Sequence, residues 1–362
     1  MNEFLENKNN KKNYSAYRSN IKNKLPWVDK YRPKKLSEVI NQDEVVNVLK
    51  ETTKTGNLPH LLLYGPPGSG KTSTGLAMAY ELFGPKIFHE RVIELNASDE
   101  RGIGIVRNKI TNFAKTAIGN SDPNYPSPPY KIIILDEADA MTNEAQSALR
   151  KVMEQLSNIT RFFFICNFIG RIIDPIASRC MKFRFKPINI ESMGNKLEAI
   201  AKSENIPVTE EITNKISEIV KGDARKGIMT LQNLKYKYNY KKSITLQDVY
   251  EITNYLPLEY IEPMWKICMD TTSSTIKDIV NETNKLKAEG YPLHAILEQI
   301  KQLVITSDAL DDNKKSLICM QLAITEKRLT DGANEYIQLL NVFTYIMGIK
   351  RDQISFIPSC IC

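Results

Sequence analysis

Between Leu25 and Pro187, short apolar runs alternate with stretches whose apolar residues recur at helical spacing. The runs cover residues 60–64, 91–95, 131–135, 161–165 and 181–185. About five continuous apolar residues fit a strand covered on both faces, the habit of a parallel sheet packed between helices. The alternation predicts a doubly wound α/β domain over residues 25–187, interrupted by a Pro/Asn/Ser loop at 119–129. After Pro187 the strand signal ends. Residues 188–253 read as a small helical unit, with Leu197, Ile200 and Ala201, then Ile212, Ile216 and Ile219, at helical spacing. A stretch around Pro257 reads as a hinge, and the rest of 254–362 as all-helical. The fold class expected is α/β followed by all-α. Residues 1–24, rich in Asn and Lys with few aliphatics, read as a disordered basic tail.

Composition narrows this picture only slightly. The 362 residues are 42% hydrophobic and 25% charged, ordinary values for a globular protein with several cores. No apolar run approaches the roughly 20 residues of a membrane helix, and the first residues lack the apolar core of a secretory signal. A soluble intracellular protein without a membrane partner is expected. The net charge is +7, but the first 24 residues hold six cations against two acids, so the remainder carries only +3. Any nucleic-acid surface must therefore be a local patch. The six cysteines form no CxxC pair or zinc spacing and read as reduced thiols. Cys360 and Cys362 receive no role.

Two blocks carry chemistry. Gly65-Pro-Pro-Gly-Ser-Gly-Lys-Thr72 follows the first apolar run and opens a helical pattern, the context a phosphate loop requires. Its glycines let consecutive N–H groups turn inward around phosphate oxygens, and the helix N-terminus adds partial positive charge. Lys71 is placed to reach the β- and γ-phosphates and Thr72 to ligate Mg²⁺. Gly65, Pro66, Pro67, Gly68, Ser69, Gly70 and Ser73 complete the cradle. In Ile132-Ile-Ile-Leu-Asp-Glu-Ala-Asp139 an apolar strand delivers acids to the sheet's C-terminal edge. Asp136 would hold the magnesium shell and Glu137 would polarise the attacking water, whereas Asp139 is better explained as a cap. The two blocks predict hydrolysis of ATP or GTP.

Three further polar residues stay open on spacing alone. Asn167 ends the fourth apolar run, where an amide can orient water or simply start a turn. Arg179, before the last run, cannot easily reach its own nucleotide but could serve a neighbour's. Arg225 opens a helix in the second unit. On spacing alone, an arginine in either place is more often a surface ion-pair partner.

A longer set of blocks resembles the small subunits of replication factor C, the eukaryotic AAA+ clamp loader. The blocks are Pro26-Trp-Val-Asp-Lys-Tyr-Arg-Pro33, the phosphate loop, Glu94-Leu-Asn-Ala-Ser-Asp-Glu-Arg-Gly102, Asp136-Glu-Ala-Asp139, Phe164-Ile-Cys-Asn167, Ser178-Arg-Cys180 and Gly222-Asp-Ala-Arg225, in the family's order. The resemblance implies a RecA-like ATPase domain (25–187), a helical lid (188–253) and a helical collar (254–362) that joins five subunits. It implies that Asn167 and Arg225 are the two sensors of the γ-phosphate, and that Arg179 is an arginine finger acting in trans. Val28, Arg32 and Ile40 fall where the family encloses adenine and ribose. Arg101, Arg107 and Lys109 fall where it tracks the DNA backbone, although a solvated basic helix face explains them as well. ATP and Mg²⁺ are the implied cofactors. Four other subunits, a sliding clamp and primer–template DNA are the implied partners, the nucleus the implied location, and replication and repair the implied processes.

The chain departs from the family pattern twice. Asn41 stands where glycine is common, and Gly227 where alanine is usual, which predicts a softer lid helix because glycine costs roughly 1 kcal/mol in a helix interior. Three other readings compete. Asp136-Glu-Ala-Asp139 spells the DEAD-box motif, but residues 188–362 offer no second strand-bearing domain and no Ser-Ala-Thr block. A homo-oligomeric AAA+ branch-migration motor would share the phosphate chemistry without the Ser-Arg-Cys block. A scaffold subunit would bind nucleotide without hydrolysing it, a reading that the intact Lys71, Thr72, Asp136, Glu137 and Asn167 argue against.

Overall fold

The strands β1 (His60–Tyr64), β2 (Val92–Asn96), β3 (Lys131–Asp136), β4 (Thr160–Cys166) and β5 (Cys180–Arg184) form one parallel sheet in the order β2-β3-β4-β1-β5. They belong to a computed structural model that describes residues 25–97, 103–116, 118–119, 121–241 and 243–354. The expected tail, Arg101, Gly102, Cys360 and Cys362 lie outside the described residues. Because side chains alternate along a strand, the apolar runs feed two cores. Leu61, Leu63, Ile132, Ile134, Phe163 and Ile165 face α2 (Asp43–Thr55) and α3 (Lys71–Arg91). Leu62, Ile133, Leu135, Phe162 and Phe164 pack with Ile110 of α4 (Ile103–Lys115) and Leu149, Val152 and Met153 of α5 (Asn143–Leu156).

Burial on both faces holds for the three central strands but not for the edges. β5 exposes Met181, Lys182 and Arg184. At the edges the expected bounds shift by one residue, while the central β3 and β4 run past their expected ends, β3 by one residue and β4 by one at each end. At β2, Arg91 closes α3 instead of opening the strand, its buried guanidinium donating to the Gly119 carbonyl at 2.9 Å. At β5 the ladder starts at Cys180, while the Phe185 N–H still donates to the Tyr64 carbonyl at 2.8 Å.

The 119–129 loop docks into a break in α3. Gly84 leaves the helical region (φ 65°, ψ 171°) ahead of Pro85, which interrupts the intrahelical hydrogen bonds. Ser127 N–H caps the Leu82 carbonyl at 2.9 Å, and the Tyr125 ring fills the notch so closely that a Cβ at Gly84 would lie 2.3 Å from it.

Two short helices complete this region, α1 (Trp27–Lys30) ahead of α2 and α6 (Asp174–Ala177) between β4 and β5. Three helices follow the sheet: α7 (Ile190–Ser203), capped by Asn189, α8 (Glu210–Val220), capped by Thr209, and α9 (Ala224–Lys241). They pack on one another and bury Leu197, Ile200, Ile212, Ile216 and Leu231, with Ile219 half-buried beside Val220. A Cβ added at Gly227 would meet Met193 Sδ at 3.5 Å and Leu197 Cδ2 at 3.6 Å, ordinary contact distances. Gly227→Ala is therefore expected to stabilise the chain by about 1 kcal/mol, through helix propensity and a less flexible unfolded chain. Chemical denaturation of the full chain checks this, and a lowered midpoint would contradict it.

The chain divides into two compact units between Ile244 and Thr245. The second holds α10 (Leu246–Thr253), which the sequence pattern assigned to the preceding unit, then α11 (Leu258–Met269), α12 (Ile276–Ala288), α13 (Leu293–Thr306), α14 (Asp312–Thr330) and α15 (Glu335–Lys350). Ile261, Met264, Ile279, Ile300, Phe343 and Ile346 form its core. Cys166, Cys180, Cys268 and Cys319 are free thiols. Among the described residues no helix is long and apolar enough to cross a membrane.

Candidate nucleotide-binding site

The loop between β1 and α3 is shaped by close approaches that only glycine allows. A Cβ at Gly65 would lie 2.3 Å from the Phe185 carbonyl oxygen, and one at Gly68 would lie 1.9 Å from Asp223 Oδ1. The loop thus threads between β5 and the start of α9, where Ala224 N–H donates to the Gly68 carbonyl at 3.2 Å.

Lys71 Nζ donates to the Gly65 carbonyl at 2.9 Å, the Pro66 carbonyl at 2.8 Å and Asn167 Oδ1 at 2.9 Å. Burial pushes the Lys71 pKa down, with Asp136, Cys166 and Asp139 opposing that shift and Arg225 adding to it. Thr72 Oγ1 donates to Asp136 Oδ2 at 2.8 Å, and Asp136 Oδ1 accepts from Glu137 N–H at 2.9 Å. A hydroxyl and a carboxylate are hard oxygen donors of the kind Mg²⁺ takes beside phosphate oxygens, so this pair fits the ion. Glu137 follows β3 in the left-handed region (φ 54°, ψ 38°), a conformation that costs free energy and clusters at functional sites. Its side chain is exposed on the cleft wall.

Asp139 is a cap, as its position suggested, but of the turn after β4. Its Oδ2 accepts from Asn167 N–H at 3.2 Å and Phe168 N–H at 3.1 Å, so it braces the backbone that presents the Asn167 amide to Lys71. Glu94 on β2 sits nearby. Burial raises its pKa and Asp136 adds to that, while Arg32 pulls it down.

These groups surround a cavity of about 370 Å³. Val28, Arg32 and Ile40 form one wall, the loop from Pro67 to Ser73 the floor, and Asp136, Glu137 and Asn167 the strand edge. Arg225 closes it from α9. Gly65 and Pro66 contribute through the carbonyls that hold Lys71. Met193 and Lys196 of α7 and Ile228 of α9 also line the cavity, and the sequence pattern did not single them out. The available signal was spacing: Ile228 stands three residues after Arg225, and Lys196 three after Met193. Asn41, in glycine's usual place, adopts φ 58° and anchors itself by donating from Nδ2 to the Pro187 carbonyl at 3.1 Å. Asparagine tolerates this left-handed backbone better than most residues, so the substitution keeps Ile40 on the cavity wall.

Arg179 lies outside the cavity. It is exposed, donating from Nη1 to the Pro175 carbonyl at 2.7 Å and from Nη2 to Glu154 at 2.8 Å, with Arg150 on the same carboxylate. Lys109 is exposed on α4. Arg101, and the side chain of Arg107, lie outside what is described.

A phosphate loop, an acidic strand tip and a polar strand end on a β2-β3-β4-β1-β5 sheet, followed by three lid helices, define an AAA ATPase, an ATP-binding class. Residues 61–188 match the family model described as ATPase family associated with various cellular activities. Residues 256–344 match the replication factor C C-terminal domain. Relatives include replication factor C subunit 4 of Arabidopsis thaliana, 47% identical over 89% of this chain and 94% of that protein. Subunit 2 of Saccharomyces cerevisiae is 46% identical over 89% of this chain and 92% of its own length, and subunit 4 of Homo sapiens 44% identical over 89% and 88%. The chain belongs to the replication factor C small subunits. Among solved structures, the Thermotoga maritima RuvB Holliday junction branch migration motor matches with a TM-score of 0.50 at 18% identity, over 66% of this chain and 79% of that one. A point-substituted form of the same RuvB matches at 0.51 and 18%, over 66% and 79%. That likeness is one of fold alone.

Proposed function

We propose that this chain is an ATP-hydrolysing subunit of a five-subunit clamp loader that opens a sliding clamp and places it on primer–template DNA in replication and repair. The observation that carries the reading is the division of the site. Lys71, Thr72, Asp136, Glu137, Asn167 and Arg225 converge on one cavity, while Arg179 is exposed away from it. A transferring phosphoryl group needs positive charge on all sides. An arginine that cannot serve its own cavity is available to a neighbour's, and its planar, permanently charged fork suits charge spread over several oxygens.

In this reading Lys71 neutralises the β- and γ-phosphate oxygens from the loop side. Thr72 and Asp136 would hold Mg²⁺, which when bound would supply positive charge against the phosphate oxygens. Glu137 accepts a hydrogen bond from the attacking water, and the Asn167 amide, fixed by Asp139, orients it. Arg225 reaches the γ-phosphate from the lid, so a closed lid and a complete site are the same event. Splitting the site between subunits makes hydrolysis depend on their alignment, which clamp and DNA binding can tighten. DNA is held through phosphate contacts that include Lys109, Arg107 and Arg101, sequence-independent and salt-sensitive. The nucleus, where eukaryotic chromosomes are copied, is the location this reading supports.

The test is native mass spectrometry of the tagged chain purified from its own cells, with every partner identified. Four different AAA partners, one of each, and ATP turnover that rises with clamp and primed DNA are expected. A homo-oligomer, or a chain without AAA partners, would overturn the reading.

A further inference from the structure

The wall of the cavity formed by the segment before Pro33 is attached on an unexpected side. In sequence this segment opens the ATPase domain, yet its bonds run to the lid helices. The turn α1 packs on α9, where Trp27 N–H donates to Gln232 Oε1 at 3.1 Å. Trp27 itself is buried, 7% exposed, with Tyr31 edge-on against it at 6.1 Å. Lys30 Nζ and the Tyr31 hydroxyl donate to the same oxygen, Glu204 Oε1, each at 2.5 Å, and the Tyr31 hydroxyl lies 2.8 Å from Ser203 Oγ. Glu204 is the residue that ends α7, and Lys235 of α9 donates to its carbonyl, so the carboxylate stands on a braced backbone.

Toward the ATPase side the segment is held more lightly, through Arg32, whose charge also acts on Glu94 of β2. Arg32 Nε reaches Ser73 Oγ at 3.4 Å, the outer limit of a hydrogen bond. Val28, Asp29, Tyr31 and Arg32 nevertheless line the cavity. The Lys30 and Glu204 side chains are 24% and 16% exposed, screened well enough from water for a charge-assisted contact to matter. Burial works to raise the Glu204 pKa, but the bonds from Lys30 and Tyr31 outweigh it and hold the carboxyl below its ordinary value.

We propose that Glu204 is a positioning residue for nucleotide binding: it fastens the 27–32 segment to the lid, so that Val28 and Arg32 move with the lid and meet the nucleotide only while Glu204 holds them. The same helix α9 carries Arg225 at its start and Gln232 two turns further on. The base-side wall and the phosphate-sensing arginine then belong to one moving body. A ligand that engages either draws in the other, which is a coupling free energy between two parts of one site. This inference rests on the nucleotide reading of the cavity.

The test uses the full chain with Trp265→Phe, which leaves Trp27 as the single tryptophan. ATP with Mg²⁺ is titrated calorimetrically into the parent chain and into the Glu204→Gln, Tyr31→Phe and Lys30→Met variants. Acrylamide quenching of Trp27 reports whether the segment is seated, and thermal unfolding without nucleotide reports the fold. Losing one charged hydrogen-bond partner is expected to raise Kd about tenfold for Glu204→Gln, less for Tyr31→Phe. Trp27 should become more quenchable while the melting temperature stays close to the parent's. Combining Lys30→Met with Glu204→Gln should raise Kd little beyond the larger single effect, because both cut the same contact.

An unchanged Kd with Trp27 exposed would show that the wall does not need fastening. A Trp27 that stays protected would show that Glu204 does not fasten it. Should Glu204→Gln fail to fold, Lys30→Met, on a partly exposed side chain, decides by the same two readings. Should the parent chain itself not bind ATP, the nucleotide reading falls, and Trp27 quenching still judges the fastening on its own.

Discussion

In a reconstituted pentamer, Arg179→Ala in this chain is expected to leave its own ATP affinity unchanged and to slow hydrolysis at the adjoining subunit by about 10³-fold or more, the cost of removing an arginine finger. Arg179 contributes nothing to the cavity of its own chain. What the substitution removes locally is an exposed hydrogen bond to the Pro175 carbonyl and an ion pair with Glu154, whose partners are 42% and 40% exposed. An exposed pair of this kind is worth about 0–1 kcal/mol, so folding should survive and the loss should be specific to the neighbour. The measurement is single-turnover hydrolysis in pentamers in which only one site retains its phosphate-loop lysine. Equal slowing at this chain's own site would refute the assignment.

Glu137→Gln should separate binding from chemistry in the opposite sense. Expected are ATP affinity close to the parent's and a fall of roughly 10²–10⁴ in hydrolysis at this chain's site, the range for removing a general base. Gln keeps the shape of Glu at a left-handed backbone position, so any change reports the carboxylate rather than a relaxed turn. Lys71→Met offers the contrast. It removes a buried cation bonded to two loop carbonyls and to Asn167, and it should abolish ATP binding altogether. Equilibrium binding beside single-turnover kinetics distinguishes the two variants. A Glu137→Gln chain that no longer binds ATP would place Glu137 among the binding groups instead.

How much of this was legible in the chain depends on how locally each feature is encoded. β1 sits between two other strands and both its faces are covered, so its apolar run marks residues 60–64 without error. The central β3 and β4 contain their expected runs and extend a residue beyond them, whereas at the sheet edges the runs for β2 and β5 are displaced by a residue. The phosphate loop and the acidic strand tip were readable because the chemistry lies in contiguous residues. Asn167 and Arg225 gained meaning only from resemblance, since an amide at a strand end and an arginine in a first helical turn are common in any fold. The Glu204 contact was invisible for a different reason. It joins residues 174 positions apart, and nothing in either segment's periodicity announces the other. Asn41 shows the reverse case. The sequence marks it only as a departure from glycine, and the structure supplies the left-handed backbone and the side-chain anchor that make it tolerable.

The break at Gly84 divides α3 into two segments with different duties. The partial charge at a helix N-terminus comes from the first turn, so everything Lys71 and its neighbours need is supplied long before residue 84. Beyond the break, the chain is free to choose its own direction into β2, with Tyr125 and Ser127 plugging the gap that the change of course opens. Sequence drift at the far end of α3, or in the loop that plugs it, is thereby insulated from the phosphate end. A lineage can remodel that surface without retuning the engine.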